Sequence, residues 1–218
     1  MLLLAIDTSQ KNGSVTLAHA GKPIETVAVE GGMFSAQLVP TIASLLAKHD
    51  IGRSQIEGFT VCVGPGSFTG LRIGLAAVKG FAEVLKRPIA TVSALEAVAS
   101  LSAVPHVIAV LDAGRKELYA GEYRRDGTPG VGHLICAREF LTTAQQLVAQ
   151  PLLFVTPSEE IAVAMRALGA NVELVPAPSS VEVAQIGAAK FARGESVTAD
   201  ALEANYVRQD AGLFQKQL

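Results

Sequence analysis

An apolar run, Phe59 to Val63, passes into Gly64-Pro65-Gly66-Ser67-Phe68-Thr69-Gly70 and then into a second apolar stretch, Leu71 to Lys86. A strand, a glycine-rich turn and a helix in that order present free backbone N–H groups and the positive end of a helix dipole, which is chemistry that grips phosphates and other anions. The residue types fit a phosphate loop only in part. A P-loop needs Gly-x-x-x-x-Gly followed by Lys and then Ser or Thr. Here Leu71 and Arg72 follow Gly70, so the phosphate lysine and the metal-binding hydroxyl are both missing. The dinucleotide pattern fails too, because Thr69 stands where Gly64-x-Gly66 would need its third glycine. Spacing therefore favours a structural turn and leaves a weak nucleotide or anion site open, with Gly66, Ser67 and Thr69 as its turn residues.

Asp7, Thr8 and Ser9 are the other members of that candidate site. They close the N-terminal apolar run Leu2 to Ile6, as Asp112 closes the run Val107 to Leu111. A carboxylate at a strand end can orient a metal or a phosphate; equally, Asp7 can cap its own turn through Ser9 and Asn12. Asp112 to Glu117 reads as a charged, solvated hairpin tip. His19, His49, His106 and His133 form no H-x-x-x-H or H-E-x-x-H pair. No nucleophile elbow is present, since Phe68 and Thr69 follow Ser67 where that motif needs x-Gly. No catalytic or metal-ligating residue is assigned. Cys62 and Cys136 lie in strand-like apolar runs and are expected to be buried free thiols.

These residues need elements to hold them. At 218 residues the chain has room for one large domain or two lobes of about 100 residues each. Half the residues are apolar and 17% are charged, which fits a core-forming chain. The net charge of −2, with Lys and Arg scattered, argues against unaided nucleic-acid binding. The N-terminus has no cationic leader pattern, and no run approaches the roughly 18 apolar residues of a membrane span. A soluble, cytoplasmic protein is expected.

Strands are predicted at 2–6, 14–18 and 24–29 as an opening meander, then at 59–63 and 89–92, with helices at 36–49 (Ser35 as N-cap) and 71–86. A lobe boundary near Ser102 to Pro105 gives an N-terminal lobe, 1–102, and a C-terminal lobe, 103–218. The second lobe restarts with strands at 107–111, 118–123, 131–136 and 152–155, and helices at 138–149, 159–168 and 181–193. Each half thus begins with an apolar strand ending at Asp, which suggests an α/β architecture duplicated without visible sequence repetition.

The two N-lobe helices carry the most specific signal. At 100° per residue Leu71, Leu75, Val78, Ala82 and Leu85 form a sufficient core stripe. Roughly opposite lie Ile73, Ala77, Gly80 and Val84, where charge is expected and none is found. On the helix at 36–49, Ala36, Pro40, Ala43 and Ala47 oppose Leu38, Ile42 and Leu45, and all four are small. A helix apolar on two sides is buried on both. The covering layer is either another part of this chain or a partner protein, and the partner is favoured.

Ala5-Ile6-Asp7-Thr8-Ser9, Gly64-Pro65-Gly66-Ser67-Phe68-Thr69-Gly70-Leu71-Arg72-Ile73-Gly74 and Val92-Ser93-Ala94-Leu95-Glu96 together resemble the bacterial TsaB (YeaZ) family. Asp112-Ala113, Glu117-Leu118-Tyr119 and Tyr206-Val207-Arg208 match its later motifs. The resemblance implies a two-lobed fold of the actin/Hsp70/sugar-kinase (ASKHA) type, each lobe a mixed sheet with helices. It implies a role in making N6-threonylcarbamoyladenosine (t6A) in tRNA, as a non-catalytic scaffold and activator of the transferase TsaD, joined by the ATPase TsaE. It implies docking through the N-lobe helices, self-association into a homodimer through the same helices, contact with tRNA only through the assembly, and ATP and magnesium handled by the partner subunits. Two positions depart from the family. Phe34 stands where the family often has His before the first helix, and Gly114 where it commonly has Arg, so no role of those two residues carries over. The alternative from the residues alone is an independent ATP-dependent phosphotransferase of the sugar-kinase type, built on Asp7 and the glycine turn.

Overall fold

Leu2–Asp7 (β1) is apolar at every position but its last, and its side chains are buried on both faces of a sheet. That is the signature of a central strand. The computed structural model, which describes residues 1–125, 134–148, 152–205 and 207, places β1 at the centre of the order β3-β2-β1-β4-β5. β2 (Gly13–His19) and β3 (Lys22–Val29) pair antiparallel as a meander; β4 (Gly58–Gly64) and β5 (Ile89–Ser93) add in parallel on the other side. The connections are the helices α1 (Phe34–Lys48), followed by a 3-10 turn at Arg53–Gln55, and α2 (Phe68–Leu85).

After a short helix, α3 (Ala94–Ser100), the same plan is built again. β6 (His106–Gly114) is central, β7 (Glu117–Arg125) and β8 (Leu134–Thr142) pair antiparallel on one side, and β9 (Leu153–Thr156) and β10 (Val172–Leu174) in parallel on the other. α4 (Ala144–Leu147) and α5 (Glu159–Ala167) intervene, and α6 (Ser180–Ala192) follows. Two mixed five-stranded sheets of identical connectivity give the two-lobed α/β fold, and the duplication lies in topology although the sequence shows no repeat.

Burial alternates along the central strands. Leu4 and Ile6 face Leu38, Ile42, Val78 and Ala82 of α1 and α2, while Ala5 faces Val183, Ala184 and Ile186 of α6. α3 lies between the lobes: Ala94 and Ala97 pack toward α6, Leu95 and Val98 toward Val107, Ala109 and Tyr123 of the second sheet. α4 and α5 cover that sheet's far face through Leu147, Ala162 and Met165. The layers run α1/α2, sheet, α6/α3, sheet, α4/α5. Helix α6, which follows the second sheet in the chain, thus crosses back over the first.

A carboxylate hub ties the seam. Glu139 of β8 accepts from Tyr123 of β7 and from Ser93 at the end of β5, and Asn205 donates to its other oxygen at 2.6 Å. Nearby, Lys190 of α6 donates to Glu96 of α3 at 2.7 Å and to the Thr91 carbonyl at 2.9 Å.

Several expectations are corrected. Residues 138–142, predicted as the start of a helix, continue β8, because Arg138 to Thr142 pair with Leu118 to Glu122; only Ala144–Leu147 is helical there. α3 and β10 were not predicted. α1 begins at Phe34, its N-cap is Met33 without a side-chain bond, and Ser35 lies inside the first turn. α2 begins three residues earlier than expected, with Ser67 as N-cap. Cys62 is buried but Cys136, on β8, is exposed. The motif residues Tyr206 and Arg208, the predicted strand start at 131–133 and the helix end at 149 lie outside the described residues.

Candidate functional site

The glycine turn and Asp7-Thr8-Ser9 meet, and they bind each other. Thr8 Oγ1 donates to the Gly70 carbonyl at 2.8 Å, and the Ser67 N–H donates to the Ser9 carbonyl at 2.7 Å. The Gly70 N–H in turn donates to Ser67 Oγ at 3.2 Å, closing the N-cap of α2. A Cβ on Gly66 would overlap the Ser9 carbonyl, one on Gly70 the Thr8 carbonyl, and one on Gly74 the Thr8 hydroxyl. Three glycines spaced by four therefore seat the end of β1 against the first turns of α2. The glycine pattern is explained by this close backbone approach.

Asp7 points inward. It is 4% exposed, and its Oδ1 accepts from the Ser9 N–H at 2.8 Å. Burial pushes its carboxyl above the ordinary range, and bonds from Ser9 and Cys62 pull only partly against it. The Cys62 thiol beside it is raised well above its usual value, chiefly by burial. Asp112 is exposed but makes the same turn, accepting from the Gly114 N–H at 2.8 Å. Gly114 sits at φ +72°, and Arg115 and Lys116 follow with positive φ, so this tip uses the left-handed freedom of glycine. Phe34 is buried, with its ring edge against Gly13 and Gly70.

Two cavities flank the turn. One, of about 500 Å³ between the lobes, is bordered by Ser9, Gly66, Ser67, Asp112, Tyr119 and Ser158. The other, of about 590 Å³, is bordered by Lys11, Asn12, Glu30, Ser35, Thr69 and Ile73. Ser67 and Thr69 are exposed, whereas Asp7 and Thr8 are spent on the turn itself. Among the described residues no group of three His, Cys, Asp or Glu could hold a metal ion.

The most apolar feature on this lobe's helical face is a groove of about 460 Å³ between α1 and α2. Its floor includes Leu4, Ile56 and Phe59, with Phe81 stacked on Phe59 at 6.1 Å between centroids. Its walls are Val39, Ile42 and Leu46 from α1, and Ala77, Gly80, Phe81, Val84 and Leu85 from α2. Val84 is 79% exposed and Val39 51% exposed. The predicted α2 set falls at or beside this groove: Ala77, Gly80 and Val84 line it, and Ile73 is half-buried one turn earlier. The predicted α1 set does not line it. Ala36, Pro40, Ala43 and Ala47 are exposed along the outer crest of α1, and Ala36 and Pro40 border a shallower hollow toward β3. The α1 wall of the groove, Val39 and Leu46, was not among the predicted residues.

A family model described as TsaD, tRNA N6-adenosine threonylcarbamoyltransferase, matches residues 31–175, which span α1, α2 and all five strands of the second sheet. Over 94% of this chain and 99% of its own, the structure of YeaZ from Pseudomonas aeruginosa superposes with a TM-score of 0.80 at 26% identity. The chain belongs to this family, in its TsaB (YeaZ) branch. A curated TsaB, the "tRNA threonylcarbamoyladenosine biosynthesis protein" of Haemophilus influenzae, is 31% identical over 130 residues. That match spans 58% of this chain and 55% of the relative, so it covers little more than half the length of either. The activator of 2-hydroxyisocaproyl-CoA dehydratase from Clostridium difficile, at 9% identity and a TM-score of 0.51, shares the fold alone. In this chain the glycine motif thus reads as the seat of β1 on the first turns of α2, with the open groove farther along the helix, at Ala77, Gly80 and Val84. No helix among the described residues is long and apolar enough to cross a membrane.

Proposed function

We propose that this chain is a scaffold subunit in the synthesis of t6A on tRNA, docking a TsaD-like transferase through the α1–α2 face and, with it, a TsaE-like ATPase. The observation that carries this reading is the apolar groove walled by Val39, Phe81 and Val84, open to solvent on a member of the TsaD family. An exposed apolar surface rimmed by polar residues marks a binding face. The branch's relatives, named for t6A biosynthesis, supply the pathway. In this reading the chain is not itself catalytic and needs no cofactor. ATP and magnesium are handled by its partners, tRNA is reached through the assembly, copies pair through the same helices when no partner is present, and the setting is the cytoplasm.

Reconstitution tests this. With the TsaD-like and TsaE-like proteins of the same organism, ATP and a threonylcarbamoyl donor, tRNA modification is expected only when this chain is added. An equal yield without it contradicts the proposal.

A further inference from the structure

The α1–α2 groove carries charge information as well as apolar surface. Among its lining residues Arg53, on the 3-10 turn, is the one that is charged. It is exposed, and no described residue pairs with its guanidinium. α1 contains no acidic residue, and the single acid of α2, Glu83, is paired with Lys86 at 2.5 Å. From Phe34 to Arg87 six Lys or Arg stand against three Asp or Glu, although the whole chain carries −2. Of those three, Glu57 is also paired, with the chain's amino terminus at 3.7 Å. Lys48 of α1 is likewise paired, with Glu25 of β3 at 2.7 Å, so the charge left at the groove's apolar centre is that of Arg53.

Such a face discriminates among occupants. A second copy brings its own Arg53 and no carboxylate lining its groove, and like charges facing each other across an interface disfavour that pairing. A polyphosphate gains from the cations but nothing from Val39, Phe81 and Val84. We infer that the groove takes an apolar segment of a partner protein bordered by acidic residues, one carboxylate of which meets Arg53, and that this charge match selects the partner over a second copy. The inference rests on the reading of the groove as a docking surface. It adds a specificity-determining residue and the chemistry of the face that must oppose it.

The test is a titration of the TsaD-like protein into the full chain at low and high salt, using wild type, Val84→Glu, Arg53→Glu and Arg53→Lys. Circular dichroism checks that each variant is folded, and sedimentation of the wild type alone measures self-association. Arg53→Glu is expected to weaken binding about tenfold or more and to flatten its salt dependence, while Arg53→Lys stays within about threefold of wild type, as for an interfacial charge pair. Self-association is expected to be weaker than binding of the partner. If Arg53→Glu binds as tightly as wild type while Val84→Glu fails, the charge inference is wrong and the docking reading stands. If Val84→Glu also binds normally, the docking reading falls and takes the inference with it. Self-association tighter than partner binding, or displacement of the partner from the groove by tRNA alone, overturns the inference as well.

Discussion

Thr8 of β1 donates its hydroxyl to the carbonyl of Gly70 at 2.8 Å, so the strand end and the first turn of α2 are bonded directly. Gly66, Gly70 and Gly74 lack side chains where that strand end passes, and Gly80, on the same helix, has nothing within 4 Å of a would-be Cβ. The two kinds of glycine should respond oppositely to alanine. Gly70→Ala forces a backbone shift and is expected to cost about 1–3 kcal/mol or more, in the range of overpacking. Gly80→Ala removes a helix-interior glycine in open space and is expected to gain up to about 1 kcal/mol. Urea unfolding measures both; equal effects would mean that the glycine seat is not what fixes the turn.

Asp7 gives a signed pH dependence. Burial holds its folded carboxyl above the unfolded value of 3.8. The folded chain therefore keeps a proton that the unfolded chain releases. The associated stability is fully present below the unfolded value and is lost as pH rises through the folded one. Asp7→Asn retains an acceptor for the Ser9 N–H and does not ionise. Its stability relative to wild type is expected to increase steadily from acid to neutral pH, as read from unfolding midpoints. A difference that stays constant would show that folding does not shift this carboxyl, and one that shrinks toward neutral pH that the carboxylate is stabilised in place.

Glu96 and Lys190 join α3 to α6 with little exposure, and burial pushes the Glu96 carboxyl up although Lys190 pulls it down. Lys190→Met leaves that carboxylate unpaired and is expected to cost about 3 kcal/mol near neutral pH, as broken buried pairs do. Protonation of Glu96 relieves the loss, so the penalty should shrink as pH falls. The double variant Glu96→Gln/Lys190→Met should recover much of it. A penalty for Lys190→Met that is independent of pH would place the pair's contribution in packing.

Much of the fold was legible because its central strands are continuously apolar up to an Asp, which ends β1 and lies two residues before the end of β6, and because the stripe Leu71, Leu75, Val78, Ala82 has helical period. Both of these aspartates accept from the backbone N–H two residues on, with Ser9 and Gly114 as donors. What was misread follows from tertiary pairing. Arg138 to Thr142 sit in a stretch with helical spacing, yet cross-strand partners on β7 hold them extended. The start of α3 is marked in the sequence by the capping box Ser93-x-x-Glu96, directly after the more conspicuous apolar strand. The α2 face was readable because charge is missing where water was expected. The groove's α1 wall was not readable, since a helix wheel cannot say that α2 lies beside Val39 and Leu46.

The central claim is that the open flank of α2 is a protein-binding face. Val84 is 79% exposed and contributes little to the chain's own core, so Val84→Glu should leave the unfolding midpoint within about 0.5 kcal/mol of wild type. The most direct measurement is the dissociation constant of this chain with the TsaD-like transferase of the same organism, for wild type and Val84→Glu side by side. A hundredfold or greater loss, about 2.7 kcal/mol or more, is predicted for the folded variant. Equal affinity of the two proteins would contradict the account.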